Sequence, residues 1–215
     1  MEKIIAIMPI KLQNERLPGK NTKLLGEKPL LQYELESLLQ IKELAGVYVY
    51  CSDEEICKYL PQGASFVKRP GELDLATSNF TQIFSSFMRE KDADIYVYAH
   101  ATAPYVKVET MRECIEAVRS GEHDSAFCAE KIQDYLWEDG APLNFDASNL
   151  PRSQDLGVIY RETSGVYVFR KEVFMKYKRR IGANPFIKEV SFRERIDIND
   201  PEDFSLAEAF LNMDC

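Results

Sequence analysis

Ile4-Ile5-Ala6-Ile7-Met8-Pro9-Ile10, followed by Lys11 and then by Arg16-Leu17-Pro18-Gly19-Lys20-Asn21, decides how this chain is read. The first run, from Lys3, is an apolar strand. The second is a loop that carries Pro, Gly and, with Lys11, three basic side chains. Gly19 lets the backbone turn without a Cβ clash, and Pro18 fixes φ. Backbone N–H groups and the Lys20 ammonium are then expected to converge on phosphate oxygens. The spacing is neither that of a P-loop nor that of the dinucleotide glycine fingerprint. A surface turn with incidental lysines would use the same residues, so the rest of the chain has to decide.

Outward from that stretch, strands and helices alternate. Leu30–Ile41 has helical spacing. Val47–Cys51 is a strand, followed by a helix opened by Ser52 or Asp53 with Glu54 and Glu55 in its first turn. Phe66–Val67 is a brief strand, and Ser78–Arg89 is a helix with Phe80, Ile83, Phe84 and Phe87 on one face. Ile95–Ala99, Ala126–Ala129 and Gly165–Phe169 read as strands. Val108–Val118, Lys171–Tyr177 and Pro201–Leu211 read as helices, the last capped by Asp200 with Pro201 at its first position. This order implies right-handed βαβ units and a mostly parallel sheet covered on both faces. Only the polar stretch at about 131–163 breaks the rhythm. It reads as an irregular arm within a single domain, 1–215.

The totals narrow the function. Of 215 residues, 45% are apolar and 29% charged, and the net charge is −8. An acidic chain of this kind is not a general nucleic-acid binder, since that needs a basic face. It can still bind a nucleotide where cations cluster locally. No apolar run approaches ~20 residues, so no membrane span is expected. Five cysteines without a CxxC pair, three of them (Cys51, Cys114, Cys128) in apolar runs, point to buried thiols and a reducing, cytoplasmic setting.

In open α/β sheets ligands lie beyond the carboxyl ends of the strands. That rule gathers Lys11–Asn21, Ser52–Asp53, His100–Pro104 and the start of the closing helix around one crevice. Arg69 in Lys68-Arg69-Pro70-Gly71 and the hydroxyl of Ser78 offer contacts to a base or ribose, or else form a proline turn and a Ser N-cap. His100 at a strand end titrates near neutral pH and suits a substrate carboxylate or hydroxyl, or is simply a hydrogen-bonded histidine. Arg152 in the arm can pair with an acidic substrate, or belong to a solvated loop. Within Ile196-Asp197-Ile198-Asn199-Asp200-Pro201-Glu202-Asp203, helix capping explains Asp200, Glu202 and Asp203. It does not explain Asp197 between two isoleucines. In extended chain Asp197 and Asn199 face the same way, which suits Mg²⁺ shared with substrate phosphates.

Taken in order, Leu17-Pro18-Gly19-Lys20-Asn21, Arg69-Pro70 with Glu72-Leu73, Arg152 with Gln154-Asp155-Leu156, and Ile196-Asp197-Ile198 with Pro201-Glu202-Asp203 resemble the acylneuraminate cytidylyltransferase family, from Ile4 to Leu211. The resemblance implies a Rossmann-like three-layer α/β/α nucleotidyltransferase with a small arm packed across a homodimer. It implies transfer of CMP from CTP to the anomeric hydroxyl of an acidic, sialic acid-like 2-keto-3-deoxy sugar, with Mg²⁺ as cofactor. Lys20, Asp197 and Arg16 then form the catalytic set. Lys11, Asn21, Arg69, Ala76 and Ser78 meet the nucleotide, and His100, Thr102, Arg152, Gln154 and Tyr167 meet the sugar. Asp197 and Asn199 hold the metal.

The chain departs from the family pattern in places. Lys11 stands where the family usually has Arg, and Leu12-Gln13-Asn14-Glu15 where it has Gly-Gly-Ser-Lys. His100 replaces Gln, Thr163-Ser164-Gly165 replaces Asn-Gly-Ala, and Asn199 replaces the second Asp of the metal motif, with Asp200 next to it. The changes at His100 and Thr163–Gly165 bear on the acceptor more than on the nucleotide. Two other readings share the scaffold: a different nucleotide-sugar transferase, or a non-catalytic nucleotide-binding relative.

Overall fold

The computed structural model describes residues 2–14, 16–211 and 213. Its main sheet has seven strands: β1 (Ile4–Ile10), β2 (Leu44–Cys51), β3 (Ala64–Lys68), β4 (Ile95–Ala99), β5 (Ser125–Ile132), β6 (Ile159–Arg170) and β7 (Pro185–Glu189). They lie in the order β7-β5-β6-β4-β1-β2-β3. Every pairing is parallel except those of β6 with β4 and β5.

The layers follow from strand alternation. Ile4, Ala6, Met8 and Ile10 of β1 face α1 (Leu30–Leu39) through Leu31, Leu35 and Leu38, and α3 (Val108–Arg119) through Met111, Cys114, Ile115 and Val118. Ile5 and Ile7 face the other side, where α2 (Phe80–Glu90) supplies Phe84 and Phe87 and α4 (Lys171–Tyr177) supplies Val173 and Phe174. The result is the expected α/β/α sandwich with a mostly parallel sheet. Among the described residues no helix is long and apolar enough to cross a membrane. Cys51, Cys114 and Cys128 are buried free thiols, as expected, while Cys215 lies outside the described residues.

A third apolar cluster positions the site. α5 (Pro201–Leu211) packs Phe204 and Ala207 against Leu25, Leu30, Ile196 and Ile198. Burying Ile196 and Ile198 contributes roughly 1.5–3 kcal/mol each. The Ile198 amide also donates to the Thr102 carbonyl at 2.8 Å. With both isoleucines turned inward, period-two alternation sends Asp197 and Asn199 the other way, toward the first loop.

Several local expectations are revised. The segment after Asp53 is a 3-10 helix, Glu54–Tyr59, with Asp53 as its cap. α2 begins at Phe80, and Asn79, not Ser78, is the N-cap, in a reciprocal capping box with Gln82. The arm is narrower than 131–163, because β5 and β6 run into it and pair Ile132 with Ile159 and Glu130 with Arg161. What remains holds a short hairpin, Trp137–Glu138 with Ala141–Pro142, and a 3-10 turn, Ser153–Asp155. The β5–β6 register shifts between Glu162 and Tyr167. That irregularity places Thr163-Ser164-Gly165 at the edge of the crevice, a common place for a bulge.

Candidate active site

The basic loop and the C-terminal motif meet. Gly19 adopts φ +66°, in the left-handed region that glycine tolerates, and starts the 3-10 turn Lys20–Thr22. This buries the Lys20 stem and aims its ammonium at the Ile198 carbonyl, 2.6 Å away. Burial pulls the Lys20 pKa down, and the nearby Asp197 carboxylate pushes it back up. Arg16 donates to the Asn199 side chain at 3.3 Å. Lys11, Arg16 and Lys20 thus line one cleft of about 220 Å³ with Asn199 and Ala76. The cations arrive as the sequence suggests, but by side chains. The Lys20 backbone N–H bonds to Leu17 O and the Thr22 N–H to Gly19 O, so neither is left for phosphate.

Asp197 is half satisfied. Its Oδ2 accepts from Asn199 Nδ2 at 2.9 Å, while Oδ1 is buried and has no hydrogen-bond partner. An orphaned carboxylate oxygen beside a row of cations has the chemistry of a Mg²⁺ ligand completed by substrate phosphates. Asn199 offers only a neutral oxygen, shared with Arg16. Asp200 is spent as the cap of α5, accepting from the N–H groups of Glu202 and Asp203. No cluster of three or more His, Cys, Asp or Glu suited to a metal occurs among the described residues. A cation here therefore fits as one carboxylate, one amide and the phosphates it neutralises.

Further orphaned atoms crowd the same place. Asn14 Oδ1, Asn21 Oδ1 and His100 Nε2 are also buried without partners. They line, with Lys11, Lys20 and Thr102, a pocket of about 200 Å³ that adjoins the cationic cleft. Buried polar groups are normally paired, so their concentration here marks where a polar ligand completes the structure. Asn21 is held by its Nδ2, which donates to Lys11 O at 3.0 Å. The titration expected of His100 is corrected. Burial, reinforced by Arg180, lowers its pKa to about 4, so the imidazole is neutral at pH 7.

Beyond Asp197 the crevice widens into a second compartment of about 360 Å³, lined by Asp197, Asn199, Thr163 and Ser164 together with Arg161, Arg195 and Phe192. Tyr167 stands behind it. Its hydroxyl is used by Glu162 at 2.6 Å and by Thr163 O, and Arg180 stacks on its ring at 3.6 Å.

Five predicted contacts, Tyr167 among them, are not among the residues lining these clefts. Arg69 is buried, paired with Asp74 and lying over the Tyr50 ring. The Ser78 hydroxyl donates to Glu72 O. Arg152 is mostly exposed on the arm and forks onto Asp155, 2.7 and 3.0 Å away. Gln154 sits on the adjacent turn, its carbonyl bonded by Gln133. Conversely, Arg161 and Arg195 line the crevice without a sequence signal, and Asp203, read from the sequence as a helix cap, lines it too. Arg161 is brought there by strand register, Arg195 by the turn before α5, and Asp203 by the first turn of α5.

Comparison with known proteins agrees with this arrangement. The cytidylyltransferase family model matches residues 5–214. N-acylneuraminate cytidylyltransferase A of Danio rerio is 24% identical over 202 residues, covering 89% of this chain and 47% of that protein. CMP-N,N'-diacetyllegionaminic acid synthase of Legionella pneumophila is 24% identical over 226 residues, covering 98% and 97%. The chain spans about half the length of the N-acylneuraminate cytidylyltransferases it matches. Among solved structures, a CMP:2-keto-3-deoxy-manno-octonic acid synthetase complexed with CTP superposes with a TM-score of 0.76 at 18% identity, covering 99% of this chain and 100% of that one. The chain belongs to the cytidylyltransferase family, the family of the acylneuraminate cytidylyltransferases that its motifs resemble.

Proposed function

We propose that this protein transfers CMP from CTP to the anomeric hydroxyl of an acidic 2-keto-3-deoxy sugar of the sialic acid type, releasing pyrophosphate. One observation carries the reading. The loop cations and the Asp197 motif, far apart in sequence, are joined by the Lys20–Ile198 and Arg16–Asn199 hydrogen bonds into one cleft.

Phosphoryl transfer asks the protein for positioning and charge neutralisation more than covalent chemistry. Lys11, Arg16 and Lys20 would bind the triphosphate oxygens and stabilise the charge that grows on the departing pyrophosphate. Asn21, Asn14 and Ala76 would border the nucleotide. Asp197 and Asn199 would hold Mg²⁺, which supplies further neutralisation of the phosphate oxygens when bound. The neutral His100, with Thr102, would orient the acceptor hydroxyl for attack on the α-phosphorus. The bond from that phosphorus to the pyrophosphate oxygen then breaks. Desolvation by the walls of the crevice strengthens each of these interactions. A homodimer in the cytoplasm, with Arg152 and Gln154 carried by the arm toward a partner's site, is part of the same reading.

The experiment is pyrophosphate release from each of CTP, UTP, GTP and ATP across a panel of sugar acids, paired with melting curves. A nucleotide present at 100 times its Kd adds about 2.7 kcal/mol of stability. Stabilisation and turnover with CTP support the reading. Preference for another nucleotide points to a different transferase, and CTP binding without turnover to a non-catalytic relative.

A further inference from the structure

We propose that Arg180 is a positioning residue for the acceptor: from the turn after α4 it neutralises Glu162 in the wall of the acceptor compartment and holds the β6 bulge beside it. This role rests on the function proposed above and falls to a residue that neither the motifs nor the comparisons assign.

Glu162 pairs with Ala129 and Tyr167 with Phe127, so Thr163 to Val166 of β6 oppose Cys128 alone on β5. Thr163 and Ser164 of that bulge line the 360 Å³ compartment, and so does Glu162. The bulge is closed from behind. The Tyr167 hydroxyl spans it, bonded to Glu162 Oε1 at 2.6 Å and to Thr163 O at 3.2 Å. Arg180 covers the Tyr167 ring, 3.6 Å from its centre, and donates to the same Glu162 oxygen at 3.3 Å. The Phe80 ring, at the start of α2, lies 5.7 Å from the guanidinium.

The backbone that carries Arg180 is fixed by contacts of its own. Lys178, two residues earlier, has φ 54°, in the left-handed region that a lysine keeps only where its surroundings impose it. Its carbonyl accepts from the Thr81 hydroxyl at 2.8 Å. Arg179 donates to Gly182 O at 3.2 Å, and the Gly182 N–H donates to Ser125 Oγ at 2.8 Å. Gly182 passes so near Asp124 that a Cβ there would stand 2.3 Å from the carboxylate. The guanidinium is thus preorganised.

A carboxylate in the wall of a compartment that receives an acidic sugar repels it, because like charges brought together weaken binding. Glu162 is such a carboxylate, with its side chain 40% exposed. The Tyr167 hydroxyl bonds it without changing its charge. Arg180 supplies the opposite charge, and a guanidinium can do so while lying flat on an aromatic ring. Arg180 is not among the residues lining the compartment or the triphosphate cleft. It therefore acts through Glu162 and the bulge and does not touch the substrate.

The test measures KM for CTP and for the sugar acid that the wild type turns over fastest. The variants are Arg180→Met, Arg180→Lys and the double variant Arg180→Met/Glu162→Gln, each checked by a melting curve. Arg180→Met is expected to raise KM for the acid by about tenfold and to leave KM for CTP unchanged. Adding Glu162→Gln removes the unpaired charge but keeps an oxygen for Tyr167. It should bring KM for the acid back to within about threefold of the wild type, a recovery that a purely structural Arg180 would not give. Arg180→Lys keeps the charge and should cost no more than about threefold, the loss of stacking, and it carries the test if the Met variant does not fold. Three results overturn the role of Arg180: a Met variant with the wild-type KM for the acid, a double variant without recovery, or a Lys variant as impaired as the Met variant is expected to be. A wild type that releases no pyrophosphate with any acid overturns the proposed function itself, and this role with it.

Discussion

The Lys20 ammonium donates to the Ile198 carbonyl at 2.6 Å, across 178 residues of chain. This contact places the cation one residue from Asp197 and fixes the first loop to the last turn before α5. Lys20 therefore has two roles, one in binding and one in joining the two halves of the cleft. Lys20→Ala is expected to lower kcat by about 10²–10³-fold, the usual cost of removing a preorganised charge partner. Steady-state pyrophosphate release measures this. Lys20→Arg, which keeps the charge but does not fit the buried channel, should restore little of the activity.

Asp197 and Asn199 give a separate expectation about the metal. The orphaned Asp197 Oδ1 is the strongest candidate ligand atom. Asp197→Ala should nearly abolish turnover and remove the Mg²⁺-dependent part of the CTP-induced rise in Tm. Asn199→Asp adds a carboxylate where an amide now stands. It should lower the Mg²⁺ concentration needed for half-maximal rate by about tenfold, roughly 1.4 kcal/mol. An unchanged Mg²⁺ midpoint in that variant removes Asn199 from the ligand set.

The success and failure of sequence reading here have physical causes. Ile95–Ala99, Lys171–Tyr177 and Pro201–Leu211 were legible to the residue because apolar runs and caps are local signals. Asp197 was legible because a carboxylate between two buried isoleucines contradicts the apolar pattern around it. β7 was not, since Pro185, Lys188 and Glu189 dilute its five residues. Gly165–Phe169 was legible as a strand within β6, but its antiparallel direction was not, since that is set by the arm returning where a crossover helix was absent. The Arg161–Glu130 pair was invisible for a related reason, since it meets through strand register, which a one-residue slip would undo. The pairing of Arg69 with Asp74 was not legible either, because sequence shows a basic residue but not the partner the fold brings to it.

His100 should be silent in the pH–rate profile near neutrality. Its native pKa of about 4 is below the unfolded value near 6.5, so the folded protein binds fewer protons between those limits. Its contribution to stability is full above about pH 6.5 and is lost as pH falls toward 4, by an amount on the order of 3 kcal/mol. His100→Gln should remove that part of the acid sensitivity, which urea unfolding at pH 7, 5.5 and 4.5 would show. It should shift acceptor preference while leaving KM for CTP unchanged. A rate profile in which wild type and His100→Gln differ by a break between pH 6 and 7 would contradict the neutral imidazole.

Glu34 carries the opposite sign. It lies on α1 among Leu31, Leu35 and Leu38, fully buried, and neither carboxyl oxygen has a hydrogen-bond partner. Burial, with a smaller contribution from Cys128, pushes its pKa well above the usual carboxylate range. The folded protein then holds a proton that the unfolded chain releases. Raising the pH from the ordinary carboxylate value through the raised native one therefore drains stability. Glu34→Leu removes both the titration and the unpaired polar group. It should stabilise the protein by about 1–3 kcal/mol at pH 8, the cost of a buried unsatisfied polar group, and by less at pH 5. Urea midpoints at the two pH values check this. A gain that does not grow with pH would mean that the carboxyl finds a charge partner after all, and that its burial costs the fold nothing through protonation.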